Sequence, residues 1–366
     1  MTLSTAEPRD LLLGRFLDAA GWGAAERRVL AADASFRRYD RLWLGERQAV
    51  LMDAPPPKED VRPFVAVARL LQGLGLSAPR LLAEDAAAGF LLLEDLGDAT
   101  YTRALAAGGD ETALYALATD TLVTLPRRWR PELAGDLKPY DWGPLLTEAL
   151  LLTDWYLPAV TGQATDPAVR ADYEAAWRQA LAPVAGRRET LVLRDYHVDN
   201  LMQLPGRAGV AACGLLDFQD ALIGARAYDL VSLLEDARRD VSPAVAAAML
   251  ARYLAALPET NRDELWRDYC LLGAQRSAKI LGIFTRLDRR DGKSRYLGHI
   301  PRLWRLIEGD LRHPALAPVA AWFARHVPPA LRVVPAALPG GGGPRRAPRC
   351  PTPCCWPPGS ARACAR

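Results

Sequence analysis

Three oxygen-bearing side chains stand close together between residues 191 and 220. Asp195 precedes Asn200 by five positions, and Asp217 follows at the end of an apolar run. Phosphoryl transfer asks a protein mainly for in-line positioning and for cancellation of negative charge. One carboxylate can accept the proton of an acceptor hydroxyl, while an amide oxygen and a second carboxylate can hold Mg²⁺. The spacing therefore predicts phosphoryl transfer, with Asp195 as the base and with Asn200 and Asp217 as metal ligands.

The flanking sequence explains how these side chains would meet. Residues 191–193 are typical of a short buried strand, and the polar residues 194–200 of the loop after it. Residues 201–216 contain two apolar runs around a turn-rich segment, which predicts a hairpin that ends at Asp217. That carboxylate should then lie beside the loop. In the alternative interpretation, these polar side chains only cap a turn and bind the loop backbone.

Composition sets the broad class. With 366 residues, 50% hydrophobic and 24% charged, the chain is long enough for two lobes and typical of a soluble globular protein. A net charge of +3, with scattered Arg and Lys, argues against a nucleic-acid partner. No apolar run reaches transmembrane length, and the N-terminus lacks the pattern of a signal peptide. We expect a cytoplasmic protein with no membrane partner.

The six cysteines fall into two groups. Cys213 and Cys270 lie in apolar runs, which predicts buried thiols. The other four lie among Pro, Gly and Arg in the last stretch of the chain. Because that stretch has almost no core-forming residues, residues 336–366 are predicted to be a disordered tail without a role in the fold. A zinc site is the alternative, but the paired Cys-x2-Cys spacing of such sites is absent.

Periodicity predicts an α+β chain with a small strand-rich N-terminal lobe and a larger, mostly helical C-terminal lobe. In the N-terminal part, helices are predicted at 11–20 and 61–71, and strands at 42–44, 49–52, 79–83 and 90–93. Further helices are predicted near 112–125, 145–157, 168–182, 227–239, 243–256, 259–283, 300–309 and 315–326.

Two N-terminal segments could bind a nucleotide. The first is polar and contains Ser35, Phe36, Arg37 and Arg38, whose backbone N–H groups and guanidinium forks suit phosphate. No Gly-x-Gly-x-x-Gly motif and no Walker A lysine accompany it. The second is the connector Glu94-Asp95-Leu96-Gly97, typical of a hinge that offers backbone groups to adenine. A solvated turn and an ordinary strand-to-helix loop are the respective alternatives.

These motifs together resemble the aminoglycoside phosphotransferase/choline kinase superfamily, whose fold is protein-kinase-like and bilobal. The superfamily pattern His-Gly-Asp-x-His-x-x-Asn, Ile-Asp-Trp/Phe and Asp-Leu-Ala is matched by Leu193-Arg-Asp-Tyr-His-Val-Asp-Asn200, Leu216-Asp-Phe218 and Tyr228-Asp-Leu-Val231. The chain is most similar to the bacterial amino-sugar kinases of cell-wall recycling. That branch phosphorylates the anomeric hydroxyl of N-acetylmuramic acid and N-acetylglucosamine. Segments such as Ala34-Ser-Phe-Arg-Arg-Tyr39 and Gln275-Arg-Ser-Ala-Lys-Ile-Leu-Gly-Ile-Phe284 carry this second likeness.

The resemblance implies ATP and Mg²⁺ as cofactors, a small sugar as substrate and Asp229 as a structural acid at a helix start. It also implies an N-lobe over residues 1–97 and a C-lobe over residues 98–335. Two positions depart from the pattern. Leu193 stands where the superfamily has its first histidine, and Met52 lies near the position of its ATP-pairing lysine. Arg37, Arg38 and Lys58 are the candidates to replace that lysine.

Acceptor contacts are predicted near the loop and on one later helix. The candidates are Tyr196, His197, Asp199, Gln219, Asp220, Arg276 and Lys279. The last two share a helical face and could meet a lactyl carboxylate, although a solvated helix face is the favoured interpretation. Two alternatives to the amino-sugar kinase remain open. One is a kinase acting on choline, homoserine, a ketosamine or an aminoglycoside, and the other is a nucleotide-binding pseudokinase.

Overall fold

The structure is a computed structural model that describes residues 8–32 and 36–336. The N-terminal part is built around one antiparallel five-stranded sheet with the strand order β1-β2-β3-β5-β4. Its elements are α1 (Arg9–Ala19), β1 (Glu26–Ala32), β2 (Arg38–Leu44), β3 (Arg47–Asp53), α2 (Arg62–Gly73), β4 (Leu81–Asp85) and β5 (Phe90–Glu94).

Strand β3 is buried on both faces of the sheet because its apolar residues are continuous. Ala49 and Leu51 belong to the cluster in which Leu13 and Leu17 of α1 pack on the sheet. By alternation, Met52 points to the other face, where its side chain is 1% exposed. The position predicted for the ATP-pairing lysine is thus occupied by a buried apolar side chain.

The rest of the chain is mostly helical, interrupted by two short strand pairs. Its elements are α3 (Tyr101–Ala106), α4 (Glu111–Arg128), α5 (Trp142–Ala149), α6 (Leu157–Thr161), α7 (Pro167–Leu181), β6 (Thr190–Val192), β7 (Leu201–Gln203), β8 (Cys213–Leu215), β9 (Leu222–Gly224), α8 (Ala227–Leu234), α9 (Pro243–Ala256), α10 (Arg262–Asp291), α11 (Ile300–Asp310) and α12 (Ala317–His326). Side-chain caps begin several helices: the oxygen of Asp110 accepts from Ala113 N in α4, and that of Ser242 from Val245 N in α9.

The predicted elements are confirmed, with a few differences. The segment 145–157 is α5 followed by a π-helical turn, Leu152–Tyr156, and α10 continues to Asp291. The helix predicted at 227–239 ends at Leu234. Strand β1 was not predicted, because its sequence is charged and it pairs with β2 alone at the sheet edge. The predicted thiols Cys213 and Cys270 are both free and buried. In the described ranges, we find no helix with the length and apolarity that a membrane crossing requires.

The chain divides into two compact units. The first contains the residues up to 143 together with 181–273, and the second contains 144–180 together with the residues from 274 onward. The first unit carries the five-stranded sheet and both short strand pairs. In the second unit α10 passes so close to Leu151 that a Cβ on Gly282 would lie 2.3 Å from the Leu151 carbonyl carbon. The predicted tail, after its first residue, lies outside the described residues.

Candidate active site

Two antiparallel strand pairs frame the predicted catalytic loop. Strand β6 leads into the loop and pairs with β9, so that Leu191 lies opposite Ile223. Strand β7 leaves the loop and pairs with β8, with Leu201 opposite Leu215. The β7–β8 hairpin confirms the prediction, although residues 209–212 form a 3-10 turn rather than strand. Strand β9 was missed, since three residues give too short a pattern.

The loop begins with a tight, strained turn at Arg194. The Asp195 N–H donates to the Leu193 carbonyl at 2.9 Å, which makes a γ-turn around Arg194, and the φ of Arg194 is 71°. A side chain in this left-handed region costs of order 1–3 kcal/mol. The superfamily pattern has glycine here, which adopts such a φ without that cost. The chain therefore needs other contacts to hold Arg194.

Helix α8 supplies those contacts. The carboxylate of Asp229, which is buried, accepts the N–H of Leu193 at 2.6 Å and the N–H of Arg194 at 2.9 Å. Ser232 Oγ, one turn later, donates to the Arg194 carbonyl at 3.3 Å. The Arg194 guanidinium donates to the Asp220 carbonyl at 3.2 Å. Asp229 thus binds the loop backbone directly, in addition to lying in the first turn of its helix.

Asn200 is oriented by groups that can only accept. Its Nδ2 donates to the Asp195 carbonyl at 2.9 Å and lies 3.4 Å from Asp217 Oδ2. Because the Asp195 carbonyl can only accept, the amide nitrogen faces it, and Oδ1 remains for another partner. The Leu216 N–H also donates to the Asn200 carbonyl at 2.9 Å, which joins the loop to the end of the hairpin. An amide oxygen held like this is a suitable Mg²⁺ ligand.

Asp217 follows β8 with a φ of 57°, a conformation that Asp tolerates better than most residues. Its Oδ1 accepts from Gln219 Nε2 at 2.8 Å, and the side chain is exposed. Phe218 is 1% exposed and its ring lies 4.9 Å from that of Phe64 on α2, which anchors this segment. The structure therefore brings together all three residues on which the sequence prediction depends, since the amide nitrogen of Asn200 contacts both the backbone carbonyl of Asp195 and the carboxylate of Asp217.

The predicted hinge connector and the segments near it pack against the same hairpin. The Leu215 N–H donates to the carbonyl of Ser77, which precedes β4, and the Gln203 N–H to the carbonyl of Ala99, two positions after the connector. A Cβ on Gly214 would lie 3.1 Å from Leu96 Cδ1, so this contact requires a residue without a bulky side chain. These contacts fix the connector against the β7–β8 hairpin.

The acidic side chains of the connector bind arginines. Glu94 lies 2.6 Å from Arg207 and 3.2 Å from Arg80, and Asp95 lies 2.6 Å from Arg41. Partial burial pushes the pKa of Glu94 upward, but the hydrogen bonds from Arg207 and Arg80 outweigh it and hold that pKa below its usual value. The side chains of Glu94 and Asp95 therefore stabilise the connector, and any contact with adenine falls to its backbone.

One cation from the N-terminal segment interacts electrostatically with Asp217, the predicted metal ligand. Arg37 is 10% exposed and its Nε lies 3.4 Å from the buried Glu59. Burial lowers the pKa of Arg37, but the negative groups around it, among them Glu59, Asp217 and Asp220, raise it above its usual value. Its charge is therefore felt by both carboxylates that follow β8.

The neighbours of Arg37 differ in their surroundings. Arg38 is half exposed and pairs with Asp40 at 2.9 Å. Phe36 is exposed, its N–H donates to Glu59 at 3.3 Å, and the Lys58 ammonium lies 4.5 Å from its ring centroid. Ser35 lies outside the described residues.

The candidate acceptor residues of the loop have different surroundings. Tyr196 is 2% exposed and its hydroxyl donates to the Ala118 carbonyl at 2.8 Å, so it supports the loop from behind and has no surface for a sugar. Asp199 is 42% exposed and binds the Thr102 hydroxyl. Asp220 is exposed, whereas Gln219 orients Asp217. Our substrate assignment therefore does not extend to Tyr196.

His197 is buried, and its contact with Arg238 indicates which ring nitrogen carries the proton. Arg238 Nη1 lies 3.3 Å from its Nε2. Because a guanidinium only donates, Nε2 must accept, and the ring proton is on Nδ1 of a neutral imidazole. The same Nε2 lies 3.5 Å from Asn200 Nδ2, so His197 stands between Arg238 and a predicted metal ligand.

The favoured interpretation of Arg276 and Lys279 as a solvated helix face is wrong. Their exposed fractions are 2% and 6%. Lys279 Nζ lies 3.0 Å from Glu148 Oε1 within the second unit, and Gln275 Nε2 donates to the Leu145 carbonyl at 2.9 Å. Glu148 lies on another helix, so nothing local in the sequence indicated this buried pair.

Sequence reasoning also missed two residues that touch the loop, Ser232 and Arg238. Both reach it from 35 or more positions away, and no spacing motif connects such distant residues. The only sequence signal that α8 and the segment after it contact the loop was the Asp-Leu-Val motif at 229–231.

The comparison with known proteins agrees with this geometry. The sequence pattern described as "Phosphotransferase enzyme family" matches residues 26–266, which is more than half of the chain. The chain belongs to this family, and it is a phosphotransferase. The "N-acetylmuramate/N-acetylglucosamine kinase" of Caulobacter vibrioides is 41% identical over 361 residues, covering 90% of this chain and 99% of that one. The protein of the same name from Pseudomonas aeruginosa is 40% identical, covering 86% and 94%.

Solved structures give the fold. A choline/ethanolamine kinase family protein from Mesorhizobium loti matches with a TM-score of 0.56 at 15% identity, covering 89% of this chain and 99% of that one. The fold is therefore kinase-like, with the strand-rich N-terminal sheet and the mostly helical C-terminal part that the sequence predicted.

Proposed function

We propose that the protein is an ATP-dependent sugar kinase that phosphorylates the anomeric hydroxyl of N-acetylmuramic acid, N-acetylglucosamine or both, in peptidoglycan recycling. The observation that carries the proposal is that the side-chain nitrogen of Asn200 contacts both the Asp195 carbonyl and the Asp217 carboxylate, which brings the three residues together. The choice of sugar rests on the names of relatives that match this chain over nearly their whole length. Since ATP is the phosphoryl donor, we place the reaction in the cytoplasm.

Asp195 acts as the general base. Its backbone is fixed on both sides, by the γ-turn at its N–H and by Asn200 at its carbonyl, so the carboxylate is presented by a rigid loop. The sugar hydroxyl donates to this carboxylate and loses its proton as bonding to the γ-phosphoryl group develops. A base positioned in this way accelerates a reaction by about 10²–10⁴. An anomeric hydroxyl is more acidic than an ordinary alcohol, which lowers the demand on the base.

Asn200 and Asp217 fit the magnesium that the family implies. The amide oxygen and the carboxylate are the hard oxygen donors that this ion prefers, and two protein ligands leave positions for phosphate oxygens and water. When bound, the ion cancels charge on the phosphates. The protein's contribution is to hold the two ligands: Gln219 and Phe218 fix Asp217, and the Asp195 carbonyl fixes the amide of Asn200.

The nucleotide lies between the connector and the N-terminal segment. The backbone near Glu94, Asp95 and Leu96 contacts the adenine, while the arginines bound to the acidic side chains keep that backbone in place. Arg37 supplies the positive charge that the absent lysine would supply, because it is held by Glu59 and its charge reaches Asp217. Phe36 and Arg38 belong to the same segment and complete the phosphate side of this site.

The test is product identification. The purified protein is incubated with Mg-ATP and a panel comprising both amino sugars, choline, homoserine, a ketosamine and an aminoglycoside, and the phosphorylated position is identified by NMR. We expect sugar 1-phosphates only, formed at least about a hundredfold more slowly by the Asp195→Asn variant. Phosphorylation of an amine alcohol but of neither sugar would overturn the sugar assignment. Nucleotide binding without turnover of any acceptor would indicate a pseudokinase.

A further inference from the structure

Arg238 approaches the catalytic loop from the segment that follows α8. Its Nη1 lies 3.3 Å from His197 Nε2, and its Nε lies 3.7 Å from Asp199 Oδ2. His197 and Asp199 follow the proposed base, Asp195, by two and four positions. The Arg238 side chain is 33% exposed. It therefore presents a guanidinium at the accessible edge of the loop that holds the base.

Contacts at both ends of Arg238 hold it in place. Its backbone N–H donates to Asp236 Oδ1 at 2.8 Å, and Asp236 is 2% exposed. Its guanidinium contacts His197 and Asp199, and Asp199 is itself held by the Thr102 hydroxyl. Because the arginine is held at its backbone and at its guanidinium, binding a ligand there needs little further ordering of the side chain.

The two proposed substrates differ in charge, and this difference matters at this loop. N-acetylmuramic acid carries a lactyl carboxylate on C3, two ring carbons from the anomeric carbon, whereas N-acetylglucosamine is neutral. Asp195 and Asp199 lie on the loop, and Asp217 and Asp220 follow β8, so the acceptor side is rich in carboxylates. An anionic sugar is repelled by such a surface unless a cation compensates for it.

The two cations that the sequence offered for this purpose, Arg276 and Lys279, are buried in the second unit. Lys279 is 6% exposed and pairs with the buried Glu148, and Arg276 is 2% exposed. Arg238 is in contact with the catalytic loop and is accessible. A guanidinium also has the planar fork that binds a carboxylate through two parallel hydrogen bonds.

We propose that Arg238 binds the lactyl carboxylate of N-acetylmuramic acid and so sets the preference between the acidic and the neutral amino sugar. The inference rests on the proposed function, because it assumes that both sugars place their anomeric hydroxyl at Asp195. N-acetylglucosamine has no group for this contact, so its binding does not depend on the charge of Arg238.

The test compares steady-state kinetics of both sugars for the wild type and for Arg238→Gln. We expect KM for N-acetylmuramic acid to rise about tenfold to a hundredfold, as for loss of a hydrogen-bonded charge pair, with KM for N-acetylglucosamine within about threefold. Arg238→Lys should fall between, since it keeps the charge and loses the fork. Arg239→Gln is the matched control: the neighbouring arginine pairs with Glu111 and should discriminate as the wild type does.

Two results would count against the proposal in different ways. Equal losses for both sugars, with a raised Mg²⁺ requirement, would show that Arg238 only positions Asn200 through His197, and would overturn carboxylate recognition. If the wild-type protein phosphorylated neither sugar, the proposed function itself would fail, and the role proposed for Arg238, which assumes it, would be overturned with it.

Discussion

At the residue scale, the loop combines strain and restraint at adjacent positions. Arg194 and Asp217 both have positive φ, and they lie at the entry to the loop and directly after the hairpin. Such conformations persist where surrounding contacts determine them, as Asp229 and Gln219 do here. At Arg194 and Asp217, a strained backbone conformation is therefore retained because it orients the neighbouring oxygen atoms.

Asp195→Asn tests the base. We expect kcat to fall by at least about a hundredfold, because the amide cannot accept the hydroxyl proton. Folding and Mg-ATP binding should be retained, since the Asp195 backbone carries the contacts to Leu193 and Asn200. The measurements are steady-state turnover and a calorimetric nucleotide titration. Turnover close to that of the wild type would contradict the assignment.

Asp217→Asn tests the metal site. The amide keeps the size of the side chain, an oxygen for Gln219 and tolerance of the left-handed conformation, but it removes the charge that attracts Mg²⁺. We expect the Mg²⁺-dependent part of ATP affinity to be lost. A titration in excess chelator is the control, and there the variant should match the wild type. An unaltered Mg-ATP titration would remove Asp217 from the site.

The three candidate site residues that the sequence predicted to meet belong to one short segment. Asp195, Asn200 and Asp217 span 23 positions, so strand and turn signals suffice to bring them together. Arg238 and Ser232 reach the same loop only through the packing of α8. Lys279 shows the same limit of sequence-based prediction. A lysine is typically exposed, and only the fold reveals that Glu148 pairs with it in the interior.

At the element scale, α8 is the support of the catalytic loop. It contributes Asp229 and Ser232 to the backbone of the γ-turn, and the segment after it contributes Arg238. Helical periodicity predicted this helix, as it did the other long helices. The short strands β6 and β9, and the charged edge strand β1, show where periodicity is insufficient: their pairing is decided by partners elsewhere in the chain.

Asp229→Asn tests this support. Each carboxylate oxygen accepts one backbone N–H, so an amide would direct its NH2 group at one of those donors. We expect the free energy of unfolding to fall by about 1–3 kcal/mol, the cost of leaving a buried donor unpaired, and kcat to fall with it. Urea unfolding measures the first quantity.

A matched control is available on α10. Asp263 also lies in the first turn of a helix, but it is exposed and distant in sequence from the loop. Asp263→Asn should change the free energy of unfolding by no more than about 0.5 kcal/mol. If the two variants were equally stable and equally active, α8 would have no special role in holding the loop.

At the scale of the whole molecule, the packed structure extends to the last described residue, Ala336. The hydroxyl of Tyr156, buried in the second unit, lies 2.8 Å from the carbonyls of both Leu331 and Val333. Burial raises the pKa of Tyr156 to about 12, so the phenol stays protonated and requires an acceptor. Arg289 Nη2 donates to the Ala336 carbonyl at 2.8 Å. Residues up to 336 are therefore part of the packed structure.

Two truncations test the prediction that the segment beyond this point is dispensable. A chain that ends at Ala336 keeps every contact just named, and we expect the wild-type Tm and turnover. A chain that ends at Pro328 removes both acceptors of Tyr156, and the free energy of unfolding should fall by at least about 1–3 kcal/mol. Thermal unfolding and sugar turnover measure the outcome. Loss of folding or activity in the longer chain would show that the Cys-rich tail contributes to the protein. A zinc titration of the full chain would then test whether the four cysteines of the tail bind metal.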